Sequence, residues 1–228
     1  MELFSGAWIV AVKMPIDVVL QQMSEGMVKT VGIFFLTLLF SLPLGMIVAF
    51  GRMSKNIVLS SIVKAYISIM RGTPLMLQLM VVYFGPNILF GLKIAEFRFA
   101  AVIIAFSLNY AAYFAEIYRS GIEAMPVGQY EAANLLGYNK AQTFLKIICP
   151  QVIKIILPSV TNEVICLVKD TSLAFAISYQ EMFTRAKIIA ASQTSLMPFV
   201  IAGVFYFVFN LIVAGVMGII EKKLSYYR

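Results

Sequence analysis

Apolar residues run along this chain in stretches long enough to cross a bilayer, and short polar segments separate them. Crossing the hydrocarbon takes about 20 mostly apolar helical residues, because each rises about 1.5 Å through a core about 30 Å thick. The first run extends from Met27 to Phe50, with a kink expected at Pro43 and Gly45, and ends at Gly51-Arg52-Met53-Ser54-Lys55-Asn56. The second, Ile57 to Phe90, is too long for one straight crossing and is interrupted at Arg71-Gly72-Thr73-Pro74, so a bent or broken helix is expected there. Phe99 to Tyr118 makes a third span that carries Asn109, Tyr113 and Glu116 on an otherwise apolar segment. Arg119 to Lys146 is polar with a helical pattern, which places it in water or on a partner. A fourth span, about Ile155 to Ser178, holds Asn162, Glu163, Lys169 and Asp170, and a fifth runs from Pro198 to Ile220 ahead of Glu221-Lys222-Lys223. The pattern predicts an all-α integral membrane protein of about five transmembrane helices, with its termini on opposite sides.

Residues 1–25 precede the first span. The apolar stretch Leu3 to Val12 is broken by Lys13 and Pro15 and lacks a small-residue cleavage pattern, so it does not read as a cleavable signal. Trp8, Ile9 and Val12 suit a short interfacial helix with the indole at headgroup level. The distribution of lysine and arginine sets the orientation. With the carboxyl terminus in the cytosol, Arg52, Lys55, Lys64, Arg71, Arg119, Lys140, Lys146, Lys154, Lys222, Lys223 and Arg228 all lie inside. The other side keeps Lys13, Lys29, Lys93, Arg98, Arg185 and Lys187 against Glu2, Asp17, Glu25, Glu96 and Glu181. The amino terminus is then outside and the long polar segment, about 119–150, faces the cytosol.

Composition narrows the chemistry. The chain is 61% hydrophobic and 13% charged, against about 45–50% and about 25% for a soluble domain. Its net charge of +7 is spread singly between apolar runs rather than clustered on one solvated face, which argues against a nucleic-acid partner. Histidine is absent, which removes Ser-His nucleophiles and histidine metal ligands, and no metal site is expected. Cys149 and Cys166 lie in apolar sequence and read as buried small hydrophobes. No Gly-x-x-x-x-Gly-Lys-Ser/Thr loop is available to cradle nucleotide phosphates, so any ATP-derived energy must arrive from another subunit.

Within the polar segment, Gln129 to Leu136 reads as a short helix ended by Gly137, and Asn139 caps a second helix that continues through Phe144 and Ile147 until Pro150 disturbs it. Leu135, Leu136, Tyr138 and Phe144 then either pack locally on the membrane domain or dock into a partner's groove. Glu131-Ala132-Ala133, Gly137, Ile147 and Pro150 fall at the spacing of the loop by which permease subunits of ATP-binding-cassette importers engage their ATPases, and the chain resembles that family. Cys149 departs from the pattern, which usually has leucine there, but keeps its apolar character. Arg71-Gly72-Thr73-Pro74-Leu75, Asn109 with Ala112-Tyr113 and Glu116, Gly128-Gln129, and Lys169-Asp170-Thr171-Ser172-Leu173 resemble the polar amino-acid branch, and the resemblance runs from Gly26 onward.

The resemblance implies a permease of the type I importer fold with a cytoplasmic coupling helix. It also implies a second permease subunit, two ATPase subunits that use ATP and magnesium, and an extracytoplasmic substrate-binding protein. The chain itself would bind no cofactor and catalyse no reaction. Polar groups inside a membrane are expected to serve a solute, because a zwitterion crossing hydrocarbon needs substitutes for water. Asn109, Tyr113 and Glu116 share a helix face at spacings of four and three, and Asn162, Glu163, Lys169 and Asp170 form a second set. Thr171 and Ser172 either satisfy backbone groups at a helix break or offer hydroxyls to the solute. The alternative is structural: Lys169 pairs with Asp170, and Glu116 with Arg119 at the interface. The rival functions are a permease for another small solute, such as a betaine or a metal complex, and an ion-coupled carrier. An intramembrane enzyme built on Glu163 and Asp170 would lack a ligand set or an activated nucleophile.

Overall fold

The computed structural model describes residues 14–91 and 97–224, so Trp8, Ile9 and Val12 lie outside the described residues. Helix α1 (Ile16–Arg52) begins eleven residues before the expected first span and continues unbroken through Pro43. Its buried positions Val19, Met23, Gly26, Thr30, Ile33, Thr37, Ser41, Gly45 and Ala49 recur at three or four residues, a single stripe down one face. The stripe is rich in small residues because helix backbones in a membrane associate by close packing. At Gly45 a Cβ would fall 2.8 Å from the Phe114 Cβ, and at Gly26 it would fall 2.7 Å from the Met182 Cα. Gly45 therefore admits a neighbouring helix as well as adjoining Pro43.

The second apolar run is divided as expected into α2 (Ile57–Gly72) and α3 (Leu75–Phe90), which meet at 110°. Thr73 is extended, as the residue before a proline must be, and Pro74 opens α3 without needing a donor. The oxygen of Asn56 caps α2 by accepting from the Val58 and Leu59 amides. Helix α4 (Arg98–Glu123) is the most enclosed element, and Val102, Phe106, Ala112 and Phe114 are completely buried. A Cβ at Gly121 would fall 2.2 Å from the Ile156 side chain, so α4 and the helix that carries Ile156 also meet through a glycine.

Beyond α4, the short helix α5 (Val127–Leu135) ends in a turn where Gly137 adopts φ +78°. The Tyr138 amide bonds to the Ala133 carbonyl and the Gly137 amide to the Asn134 carbonyl, so the glycine closes α5 by paired backbone bonds. Asn139 and Gln142 then satisfy each other's backbone amides and start α6 (Lys140–Thr143). Pro150 disturbs the helix, as the sequence predicts, without ending it. A π-helical turn, Phe144–Ile148, precedes it and leads directly into α7 (Cys149–Asp170). That wider turn contains Lys146, whose carbonyl Pro150 leaves without its usual donor.

Helix α7 tightens into a 3₁₀ segment, Thr171–Ile177, so the fourth span ends close to its expected limit. Helix α8 (Met182–Gln193) had no counterpart in the apolar pattern, and α9 (Met197–Leu224) is the last span. Glu181 is 0% exposed and caps α8. Its carboxylate accepts from the Phe183 amide at 2.7 Å, the Thr184 amide at 2.6 Å, the Thr184 hydroxyl and the Tyr206 hydroxyl. Among the described residues, four helices are long and apolar enough to cross a membrane, or five spans if the bent α2–α3 pair counts as one. Helices α2, α3 and α9 turn long apolar surfaces outward, including Ile57, Ile62, Val81, Ile88 and Phe207, as lipid contact requires.

Candidate functional site

The break between α2 and α3 forms one wall of an open cleft of about 440 Å³, whose lining includes Thr73, Pro74, Asn109, Tyr110, Tyr113, Glu163, Cys166 and Asp170. Breaking a helix inside a membrane leaves carbonyls without donors, and two amides supply them here. Asn109 donates through Nδ2 to the Met70 carbonyl and to Gln78 Oε1, both at 3.0 Å. Gln78 donates through Nε2 to the Met70 carbonyl at 2.9 Å and to Thr73, whose own hydroxyl donates to the Ile69 carbonyl. Asn109 thus holds the broken span as well as facing the cleft.

The opposite wall comes from α7. Asp170 accepts a 2.7 Å hydrogen bond from the Tyr110 hydroxyl, which fixes that carboxylate between two helices. Glu163 reaches the same cleft without a hydrogen bond or ion pair to any described residue. Tyr113 is covered by Arg71, whose guanidinium carbon lies 5.3 Å from the ring centroid. The cleft therefore combines amide, phenol and carboxylate groups with an apolar wall, and one of its carboxylates is unpaired.

Other polar positions are placed differently. Glu116 accepts from Arg119 at 2.7 Å and lies 3.9 Å from Arg71, in a chain of charges that continues to Glu123. Asn162 and Lys169 are exposed, turned away from the lining by the 100° step between successive helical residues. That step also separates Lys169 from Asp170, and no ion pair joins them among the described residues. Thr171 is buried and donates to the Val168 carbonyl, while Ser172 donates to the Lys169 carbonyl, so both hydroxyls serve the end of α7. Gln78 and Tyr110 escaped the sequence reading, because their partners lie 31 and 60 residues away.

A second set of residues forms the elbow between α4 and α7. Ala133 is buried and seats α5, whereas Glu131 and Ala132 are exposed. Leu135 and Leu136 are 90% and 74% exposed, so neither packs on the membrane helices. Phe144 does pack locally, edge to face with Phe50 at 5.6 Å between centroids. Ile147 is half-buried and its carbonyl accepts from Gln151, while Pro150 is exposed. Exposed apolar side chains at the end of a short, capped helix are the form of a docking element.

Comparison with known proteins matches a family model described as binding-protein-dependent transport system inner membrane component over residues 41–226. An arginine transport system permease protein of Bacillus subtilis is 38% identical over 202 residues, covering 88% of this chain and 91% of its own. An L-cystine transport system permease protein of the same organism is 34% identical over 208 residues, covering 90% and 87%. Among solved structures, an amino acid ABC transporter crystallised with histidines superposes with a TM-score of 0.81 at 32% identity, covering 89% and 94%. An inward-facing methionine ABC transporter shares the fold at a TM-score of 0.70 and 17% identity.

Proposed function

The chain belongs to the family of binding-protein-dependent transport system inner membrane components, and from that premise we propose that its α2–α3 cleft passes a polar amino acid while the α5–α6 elbow takes up the stroke of a separate ATPase. It is a multi-pass permease with the fold of type I ABC importers. Relatives named for arginine and cystine support an amino-acid solute.

One observation carries the mechanism. The elbow lies in the chain between α4 and α7, and these two helices supply the cleft's polar groups: Asn109, Tyr110 and Tyr113 from one, Glu163 and Asp170 from the other. A push on α5 is delivered to the ends of both helices. Tyr113 lies ten residues from the end of α4, about 15 Å up the helix. A rigid displacement at the elbow then changes the width of the cleft against the pinned α2–α3 break.

The substrate's ammonium goes to Glu163, the carboxylate with no hydrogen bond or ion pair among the described residues, while Asp170 is held by Tyr110. Asn109, Tyr113 and the broken span complete the passage; Thr171 and Ser172 tie off the end of α7 beside Asp170, while Asn162, Lys169 and Glu116 lie off its lining. Glu131, Ala132, Ala133, Gly137, Ile147 and Pro150 shape the docking elbow, and Leu135 and Leu136 are its apolar contacts. Residues 119–150 face the cytosol, residues 1–25 lie on the outer side, and residues 26–228 form one transmembrane unit in the bacterial cytoplasmic membrane. Two ATPases, consuming ATP with magnesium, a second permease and an extracytoplasmic binding protein complete the machine.

The test is uptake of labelled arginine, glutamine and cystine into proteoliposomes holding the assembled complex. Replacing the unpaired carboxylate, Glu163→Gln, is expected to raise the half-saturating amino-acid concentration about tenfold, the scale of one lost charge-assisted hydrogen bond. Unchanged rate and selectivity would remove Glu163 from the path.

A further inference from the structure

The α2–α3 cleft is uneven in charge. Among the described residues its lining holds two carboxylates, Glu163 and Asp170, and no lysine or arginine. Arg71, which lies over the Tyr113 ring just off the lining, is already matched: Arg71 and Arg119 face Glu116 and Glu123 in one chain of charges. Lys169 is exposed and also lies off the lining. Glu163 and Asp170 therefore have no cation of the chain to balance them.

The hydrogen bonds are uneven in the same sense. Both Nδ2 hydrogens of Asn109 are taken, by the Met70 carbonyl and by Gln78. The Thr73 hydroxyl donates to the Ile69 carbonyl, and the Tyr110 hydroxyl donates to Oδ2 of Asp170. What the lining still offers is acceptors: the Asn109 side-chain oxygen, Oδ1 of Asp170 and both oxygens of Glu163. The Tyr113 hydroxyl is its one side-chain O–H or N–H without an acceptor among the described residues. A surface of acceptors and negative charge is complementary to a solute rich in N–H donors. A neutral amino acid brings one cation for Glu163 and leaves Asp170 without any. A cationic one carries a second at the end of a long side chain, and Asp170 lies seven residues along α7 from Glu163, two turns and about 10 Å. The volume of about 440 Å³ falls within the range of small-molecule sites, about 300–1,000 Å³.

We propose that the cleft selects amino acids with a cationic side chain, the arginine and lysine class, taking the α-ammonium at Glu163, the side-chain cation at Asp170 and the α-carboxylate at the Tyr113 hydroxyl. Neutral amino acids rank below them, because they leave one carboxylate unbalanced, and acidic ones rank last. This selectivity rests on the cleft being the solute path proposed above.

Equilibrium binding to the solubilised complex of permease and ATPase subunits, measured without the binding protein, reads the selectivity of the cleft itself. The probes are labelled arginine and labelled citrulline, which share a shape and differ in side-chain charge, with lysine and glutamine as competitors. The wild type is expected to bind arginine about tenfold more tightly than citrulline, the scale of one charge-assisted hydrogen bond, and lysine should displace arginine better than glutamine does. Asp170→Asn, which can still accept from Tyr110, is expected to lower arginine affinity to that of citrulline while citrulline binding persists. Glu163→Gln should weaken both about equally and keep the preference, and Tyr110→Phe, with both carboxylates present, should keep it too. Equal wild-type affinity for arginine and citrulline overturns the proposal, as does an undiminished arginine preference in Asp170→Asn. Absence of binding of either amino acid by the wild type, or binding untouched by Glu163→Gln, would count against the cleft as the solute path instead.

Discussion

Single glycines and carboxylates set the tolerances of this molecule. A Cβ at Gly26 would meet the backbone of Met182 at 2.7 Å, and backbone cannot yield as a side-chain tip can. Gly26→Ala is therefore expected to push α8 off α1 and cost about 1–3 kcal/mol, the usual penalty for overpacking. A lowered thermal midpoint of the detergent-solubilised complex would register it; an unchanged midpoint would show that the two helices separate freely. Glu181→Ala should cost a similar amount, about 1–3 kcal/mol, because the Phe183 and Thr184 amides and the Tyr206 hydroxyl all lose their acceptor in a buried setting. The same thermal measurement checks it, and Glu181→Gln should lose less by keeping one acceptor oxygen. Nothing in the sequence around Glu181 announces this role, since Tyr206 is 25 residues away and Thr30, which bonds the neighbouring Met182 amide, is 152 away.

At the scale of elements, the proposed docking role of the elbow depends on the geometry of its turn. Gly137 sits at φ +78°, where a β-branched side chain crowds the backbone at a cost of about 1–2 kcal/mol. Gly137→Val is expected to open the turn, shift α5 and abolish ATP-driven uptake while the binding protein still captures ligand; normal uptake would count against the docking role. Asn139→Ala removes the oxygen that caps α6 and should cost about 1 kcal/mol, read as a lowered thermal midpoint with slower transport. These turns were legible in the sequence because glycine, asparagine and glutamine at fixed spacing have local uses. The break at Thr73-Pro74 was legible for the same reason. Helix α8 was not, because Thr184, Arg185 and Lys187 interrupt its apolar positions and its burial comes from α1 and α9 rather than from its own pattern. Likewise, Gly45 carried a kink expectation from its neighbour Pro43, whereas its contact with Phe114 is visible only once α1 and α4 lie together.

For the whole molecule, the sequence carried span number and break position because hydrocarbon thickness fixes helix length. It marked Glu163 and Asp170 as polar residues inside a span, but their difference appears only in three dimensions, where Tyr110 holds one and leaves the other open. The assembled fold joins that cleft to the elbow through α4 and α7, the connection on which the proposed ATPase would act. The most direct test compares labelled amino-acid uptake by proteoliposomes containing the permease with and without its ATPase subunits, each in the presence and absence of ATP. Uptake only where both the ATPase and ATP are present is the predicted result; equal uptake by the permease alone would contradict the account.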